Sequence, residues 1–201
     1  MTYIAVSQRV ATDPAHGTRS DAADQRWWAF LRGCGLLPLP LPNDPVTVRR
    51  TLADLPVGGV LLTGGNDLAV CGGRVPERDA TESVLIDEAL SRPIPLIGVC
   101  RGMQHLQHRF GARLWRVTGQ VAERQVLEID GRRRTVNSYH HWATTETPAP
   151  LLPWVRGPGR IVKAVRHESA PLLGIMWHPE RIEPFAEEDR ALFRSHFGGT
   201  R

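Results

Sequence analysis

Short apolar runs alternate with helical segments through the first half of the chain. Runs at 3–6, 57–65 and 94–99 are mainly apolar, which is typical of buried strands, and the run at 57–65 ends in glycines. Apolar residues recur at helical spacing in four other segments, which predicts helices over 21–35, 43–55, 78–91 and 101–111. The run LLPLPLP at 36–42 predicts an extended segment. This alternation predicts a parallel sheet with helices on both faces.

The second half of the chain has a different pattern. Residues 125–136 alternate around Asp130-Gly131, which predicts a hairpin, and 159–165 with 172–178 predict two further antiparallel strands. These strands could extend one edge of the sheet, and 185–197 predicts a closing amphipathic helix. We therefore predict one α/β domain over residues 1–201, with a mostly parallel mixed sheet flanked by helices. Asn43 is the expected N-cap of the second helix.

Composition narrows the class of protein. The 201 residues are 41% hydrophobic and 23% charged, which indicates a globular chain. The N-terminus lacks the charged and apolar regions of a signal peptide, and no apolar run is long enough for a membrane span, so we expect a cytoplasmic protein without membrane contact. Cys34, Cys71 and Cys100 are odd in number and widely spaced, which argues against disulfides and a cysteine zinc site.

The net charge of +4 comes almost entirely from arginine, because Lys163 is the single lysine. A codon-usage bias toward arginine would explain this composition without any functional role. The alternative is an anionic ligand, because the guanidinium group matches phosphate and carboxylate in shape and charge. The run Arg132–Arg134 follows the predicted turn and indicates a solvated loop more than a nucleic-acid surface, so we expect no nucleic-acid partner.

The segment GVCRG, 98–102, joins a predicted strand to a predicted helix and has the spacing of a nucleophile elbow. Its glycines permit a sharp turn, and the helix N-terminus favours the thiolate of Cys100. The backbone N–H of Arg101 is a candidate oxyanion donor. A buried, inert cysteine at a strand end is the alternative.

A second strand end carries WHPE, 177–180. Pro179 keeps His178 extended, so Glu180 lies on the same side and can orient the His178 imidazole as a general base. His105 and His108 lie on the helix after the elbow, where we expect them to face solvent or neighbouring elements. The glycine pair after the strand at 57–62 makes the Gly65 N–H the candidate second oxyanion donor.

These motifs together resemble the class I glutamine amidotransferase superfamily, and within it the γ-glutamyl hydrolase branch, peptidase family C26. The matching segments are TGGND (63–67), ERDATE (77–82), GVCRGMQ (98–104), NSYHH (137–141) and WHPE (177–180). The resemblance implies a Cys100–His178–Glu180 catalytic triad that needs no metal or cofactor. It also implies that Arg101 and a set of polar residues hold the substrate: Asn66, Gln104, Ser138, Tyr139 and His140. On residue type alone, the 137–141 segment fits a surface loop equally well.

The chain is short for that branch, and its N-terminal part resembles a compact subgroup associated with bacterial surface-polysaccharide synthesis. One activity in that subgroup is hydrolysis of γ-glutamyl-CDP-amidate to glutamate and cytidine diphosphoramidate. Arg9 follows the first strand at the predicted active edge, so it is a candidate diphosphate contact. Arg19 and Arg26 would add charge, and Trp142 is either a base-stacking residue or an ordinary core aromatic.

The resulting hypothesis is a cysteine-dependent hydrolase that acts on a small γ-glutamyl substrate, with a nucleotide as one candidate leaving group. One alternative is a glutaminase component that delivers ammonia to a separate synthetase. A second is a non-catalytic binding protein on the same scaffold. The sequence leaves a homodimer open.

Overall fold

The central feature of the computed structural model is a seven-stranded, mostly parallel sheet. The structure describes residues 2–92 and 94–198. Its strands in chain order are β1 Thr2–Val6, β2 Arg9–Thr12, β3 Arg19–Ala22, β4 Leu36–Pro40, β5 Val57–Leu62, β6 Leu96–Val99, β7 Trp115–Arg116, β8 Val121–Ile129, β9 Arg132–Tyr139, β10 Trp142–Ala143, β11 Leu151–Arg156, β12 Val162–His167 and β13 Leu172–Ile175. The α-helices are α1 Arg26–Gly33, α2 Pro45–Asp54, α3 Pro76–Ser91, α4 Arg101–Arg109 and α5 Glu187–Phe197.

The order of strands in this sheet is β11-β12-β13-β6-β5-β1-β4. The five strands from β13 to β4 are parallel to their neighbours, and β12 and β11 are added antiparallel at one edge. The predicted α/β class with a mixed sheet is confirmed. The prediction that the strands at 159–165 and 172–178 extend one edge is confirmed as well.

Alternate residues of the central strands enter two apolar cores, one on each face of the sheet. On one face, Ile4, Leu61 and Ile97 pack with aromatic residues of α1 and α5. On the other, Val60 and Leu62 pack with α2, α3 and α4. Strands buried on both faces are the expected partners of helices on both sides. In the described part of the chain, no helix combines the length and the apolar character that crossing a membrane requires.

The carboxyl ends of β5, β6 and β13 meet at one edge of the sheet. Register pairs Leu62 with Gly98 and Ile175 with Val99. The segments that follow these strands therefore begin side by side, and they contain Gly64, Cys100 and His178. This edge is where parallel α/β sheets place their functional groups.

The region before α1 differs from the prediction. The predicted helix at 21–35 begins only at Arg26, because residues 19–22 form β3, which pairs antiparallel with β2. Both strands are only four residues long and largely exposed, with Val10 as their one buried residue, so apolar periodicity gave no sign of them. The predicted Asn43 cap is also wrong: Asp44 accepts from Thr47 N at 2.7 Å and caps α2.

The hairpin at Asp130-Gly131 is confirmed, with both turn residues at positive φ. Its strands β8 and β9 form a separate two-stranded sheet, so they do not extend the main sheet. Leu127 and Val136 of this hairpin pack into the core on the α1 and α5 face. Strand β9 thereby leads directly to the active edge.

Candidate active site

Cys100 occupies the sharp junction between β6 and α4. Its backbone has φ 52° and ψ −102°, an uncommon conformation for a residue with a side chain, and its N–H donates to Ile175 O at 2.8 Å. The sequence analysis attributed the sharp turn to the flanking glycines. In the structure, the turn is made by the backbone of Cys100 itself. Gly98 and Gly102 are needed for close approach, because a Cβ on Gly98 would lie 2.6 Å from Gly102 C, and one on Gly102 would collide with Leu62 O.

His178 is held on both sides of its backbone and on one side of its ring. Its N–H donates to Asn137 Oδ1 at 2.7 Å, and its carbonyl accepts from Asn137 Nδ2 at 2.8 Å. The ring Nδ1 lies 2.8 Å from Glu180 Oε1, which leaves Nε2 as the ring nitrogen available to Cys100. The structure therefore places His178 in contact with Glu180, and the parallel pairing of β6 with β13 ends the strands before Cys100 and His178 at the same edge. Asn137 belongs to the NSYHH segment, but nothing in the sequence indicated this supporting role.

The imidazole of His178 is 2% exposed, and burial lowers its pKa. The negative charge of the Cys100 thiolate, the hydrogen bond with it, and the Glu180 carboxylate outweigh burial and raise the His178 pKa to about 9. The imidazole is therefore protonated and positively charged at neutral pH.

The other two cysteines are buried thiols. Burial raises the pKa of Cys34 and that of Cys71 to about 11, so both stay protonated thiols at neutral pH. Among the described residues, no three His, Cys, Asp or Glu side chains cluster closely enough to hold a metal ion.

The segment after β5 lies directly against the His178 ring. A Cβ on Gly64 would lie 2.6 Å from His178 Cε1, so only glycine permits this approach. Gly65 follows with φ 84°. The polar atoms of the Asn66 side chain are engaged by the backbone of Val10: Oδ1 accepts from Val10 N at 2.9 Å, and Nδ2 donates to Val10 O at 3.1 Å. Asn66 thus ties this loop to β2.

A cavity of about 260 Å³ opens beside Cys100. Its lining residues are Gly65, Asn66, Asp67, Cys100, Arg101, Gln104, Tyr139, His140 and His141. The volume suits a group about the size of an amino acid. A larger cavity of about 570 Å³ lies between β8–β9 and α5, but neither a cysteine nor a histidine lines it.

Two predicted substrate contacts are corrected by the structure. Ser138 does not line this cavity, because its hydroxyl donates to Gln120 O at 2.7 Å and accepts from Lys163 Nζ at 3.0 Å below it. The Arg101 guanidinium is paired with Glu82 and Asp79 and is 1% exposed, so its backbone is the part that faces the site. Gln104 remains at the wall, with Nε2 donating to Trp142 O at 2.8 Å.

Lys163 is a buried cation beside this cavity that the sequence did not indicate as a site residue. Its Nζ lies 2.7 Å from His140 Nε2, and because an ammonium group only donates, the His140 ring accepts there. Nδ1–H then donates to Trp142 O at 3.1 Å. Burial and the Lys163 charge lower the His140 pKa to about 3, so this ring is neutral. Burial also lowers the Lys163 pKa to about 8, against the opposing charge of Cys100.

Of the remaining predicted residues, His105 and His108 differ from each other. His105 is buried and its Nδ1 lies 3.2 Å from Glu82 Oε2, whereas His108 is exposed. Arg9 lies at the active edge, in a neighbouring depression with Arg181 and Glu180. Two other arginines have their charges neutralised nearby, since Arg19 pairs with Glu77 and Arg26 pairs with Asp24.

A model of one protein family, Peptidase C26, matches residues 3–132 and 120–180 of the chain. The chain belongs to the peptidase C26 family. Its glutamine amidotransferase-type fold agrees with a glutamine amidotransferase structure from Thermotoga maritima, at a TM-score of 0.67 and 16% identity over 98% of this chain and 84% of that one.

Two curated relatives of this peptidase C26 member are informative. It is 30% identical over 184 residues to the gamma-glutamyl-CDP-amidate hydrolase of Campylobacter jejuni, covering 89% of this chain and 90% of that protein. It is 26% identical over 166 residues to a glutamine-hydrolyzing GMP synthase component of Thermococcus kodakarensis, covering 77% of this chain and 82% of that protein. Together these similarities support a hydrolase that acts on amide bonds.

The effect of Cys100 on the His178 pKa makes a specific prediction for Cys100→Ala. Removing the sulfur removes the largest influences that raise the His178 pKa, so it should fall clearly below about 9. NMR titration of the histidine ring protons measures this value. His196, half-buried at the opposite end of β6 against Leu96 O, is the internal control and should titrate unchanged. A His178 pKa that stays at about 9 would contradict the pairing.

Proposed function

We propose that this peptidase C26 member is a cysteine hydrolase that releases glutamate from a γ-glutamyl amide or phosphoramidate. The observation that carries the proposal is the position of Cys100, which lines a cavity of about 260 Å³ and raises the pKa of His178, a ring that Glu180 contacts at Nδ1. A paired thiolate, a proton donor beside it and an orienting carboxylate are the groups that acyl transfer from nitrogen requires.

In the first half-reaction, the Cys100 thiolate attacks the γ-carbonyl carbon. The resulting oxyanion accepts hydrogen bonds from the backbone N–H groups of Gly65 and Arg101, two residues that line the same cavity. The tetrahedral intermediate collapses, the C–N bond breaks, and the leaving nitrogen takes the proton from His178 Nε2. The γ-glutamyl group remains on Cys100 as a thioester.

In the second half-reaction, water attacks the thioester carbonyl. Now neutral, His178 takes one proton from that water, and Glu180 keeps the ring oriented through Nδ1. The C–S bond breaks, free glutamate leaves, and the thiolate–imidazolium pair is restored. Each proton in this cycle is held by a residue of the chain, so the proposal requires no metal or organic cofactor.

We infer that the leaving group is the nucleotide of γ-glutamyl-CDP-amidate, the substrate named for the Campylobacter jejuni relative. Because His178 Nε2 delivers the proton, the leaving group must lie next to the His178 ring. Gly64 and Tyr139 border this ring, and the Tyr139 ring centroid is 6.0 Å from that of His178. The leaving group therefore extends along the surface between Gly64 and Tyr139, here called the leaving-group flank. Arg9 packs over Gly65, and the Arg181 guanidinium carbon lies 5.4 Å from the Tyr139 centroid.

The positive charges of Arg9 and Arg181 are less fully neutralised by carboxylates than those of nearby arginines. Arg78 and Arg101 pair with buried carboxylates, whereas Arg9 makes no ion pair with any described residue. Within the described residues, the only ion pair of Arg181 is a long one, with its Nε 3.4 Å from Glu180 Oε1. Guanidinium groups that are not fully neutralised on a leaving-group flank favour an anionic substituent such as a diphosphate. The cytidine diphosphoramidate product would then serve surface-polysaccharide modification.

A glutaminase component that supplies ammonia to a separate synthetase is the second candidate. Its support is the similarity to the glutamine-hydrolyzing GMP synthase component of Thermococcus kodakarensis. The two candidates differ in what the γ-nitrogen carries, since a glutaminase needs a small leaving group. Rapid hydrolysis of free glutamine only in the presence of a synthetase would favour this second candidate.

The proposal predicts glutamate release from γ-glutamyl-CDP-amidate by the isolated protein, with glutamine cleaved far more slowly. Cys100→Ala should abolish turnover, because no other group can form the thioester, whereas Cys71→Ala should keep it. A coupled glutamate assay over a panel of γ-glutamyl amides and phosphoramidates measures both. Turnover retained by Cys100→Ala would refute the nucleophile.

The leaving-group flank predicts a selective defect in Arg9→Ala. A charge-assisted hydrogen bond contributes about 1.5–3 kcal/mol, so kcat/KM for γ-glutamyl-CDP-amidate should fall roughly 10- to 100-fold. The rate with a neutral γ-glutamyl anilide should stay within about twofold. Arg50→Ala removes the same charge from α2, where Arg50 pairs with Asp54, and is the matched control. Equal losses on both substrates would contradict an anionic leaving-group contact.

A further inference from the structure

The segment ERDATE, 77–82, takes no part in the proposed relay, yet two of its charged residues are buried. Arg78 and Glu82 are both fully buried, one helical turn apart on α3, with Arg78 Nε donating to Glu82 Oε1 at 2.9 Å. Asp79 on the same helix pairs with Arg101. Buried charges of this kind are costly unless each is partnered, so their arrangement points to a defined role.

Arg78 binds three successive carbonyls of the loop after β5. Its Nη2 donates to Thr63 O at 2.8 Å and to Gly64 O at 3.2 Å, and its Nη1 donates to Gly65 O. The Gly64 carbonyl and the Gly65 N–H belong to one planar trans peptide and point in opposite directions. Holding the Gly64 oxygen toward α3 therefore directs the Gly65 N–H toward the cavity.

Glu82 joins this loop to the start of α4. Its Oε1 accepts from Arg78 Nε and from Ser7 Oγ at 2.8 Å, and its Oε2 pairs with Arg101 Nη1 and lies 3.2 Å from His105 Nδ1. The backbone N–H of Arg101 is the second proposed oxyanion donor. A single carboxylate thus connects the two residues that fix both donors.

The charges of this network balance. Two arginines face two carboxylates, Glu82 and Asp79. Burial would raise the pKa of Glu82, but the two guanidinium groups and His105 outweigh it and hold that pKa below its usual range. The Arg78 pKa, lowered by burial to about 10, still keeps that group charged at neutral pH. The contacts between these side chains are therefore charge-assisted and leave them little freedom to rotate.

We propose that Arg78 and Glu82 are positioning residues that set the direction and separation of the Gly65 and Arg101 amide hydrogens. The network acts on the oxyanion, not on the sulfur, because none of its side chains hydrogen-bonds to Cys100 or His178 among the described residues. This inference rests on the proposed function, in which an oxyanion forms between those two amides.

Two reactions of the same cysteine distinguish this role from a structural one. Alkylation of Cys100 by iodoacetamide needs the thiolate but no oxyanion, whereas hydrolysis of a γ-glutamyl anilide needs both. In Glu82→Gln, kcat for hydrolysis should fall about 10- to 100-fold, in the range of a weakened oxyanion donor, with KM within about threefold. The alkylation rate should stay within about twofold. Asp87→Asn, the same change at an exposed carboxylate of α3 that pairs with Arg109, is the control and should affect neither reaction.

Parallel loss of both reactions, or loss of neither, overturns the proposal. If Glu82→Gln fails to fold, as judged by circular dichroism, Arg78→Lys is compared in the same two reactions, with the same selective loss expected. If the wild-type protein cleaves no γ-glutamyl compound, the proposed function fails by itself. The network is then tested by acylation of Cys100 with p-nitrophenyl acetate, which also forms an oxyanion, and an unselective effect there overturns it.

Discussion

A positive charge on the buried imidazole of His178 is the feature on which the rest of the site depends. At 2% exposure, burial alone would favour the neutral ring. The negative charge of Cys100 and the Glu180 carboxylate, which lies against Nδ1, reverse this preference. Both partners must therefore be held against the ring. The parallel pairing of β6 with β13 does so by ending two neighbouring strands at the same edge.

The surrounding backbone is shaped to keep that ring fixed. Gly64 lets the loop after β5 lie against the ring edge, and Asn137 binds both the N–H and the carbonyl of His178. Beneath the loop, Arg78 and Glu82 form a second, electrically balanced layer. The relay and the amide donors are thus supported by different residues, which makes their contributions separable by mutation.

Much of this arrangement could be predicted from sequence because strand ends are visible in the apolar pattern. The positions of Cys100 and His178 follow from that pattern once the sheet is parallel. The contacts of Lys163 with Ser138 and His140 could not be predicted. They depend on how the β8–β9 hairpin packs against the rest of the domain, and local apolar periodicity carries no information about that packing. The β2–β3 hairpin was missed for a related reason: its strands are short and largely exposed, and they are defined by pairing and by contacts such as Asn66 with Val10.

Trapping the covalent intermediate tests the central claim most directly. Wild-type protein mixed with excess γ-glutamyl substrate, quenched in acid within one turnover, digested and analysed by mass spectrometry should carry one γ-glutamyl group on the peptide containing Cys100. Loss of that group on treatment with neutral hydroxylamine would identify a thioester. Substrate turnover with Cys100 unmodified at every quench time, or the γ-glutamyl group found on another residue, would contradict the account.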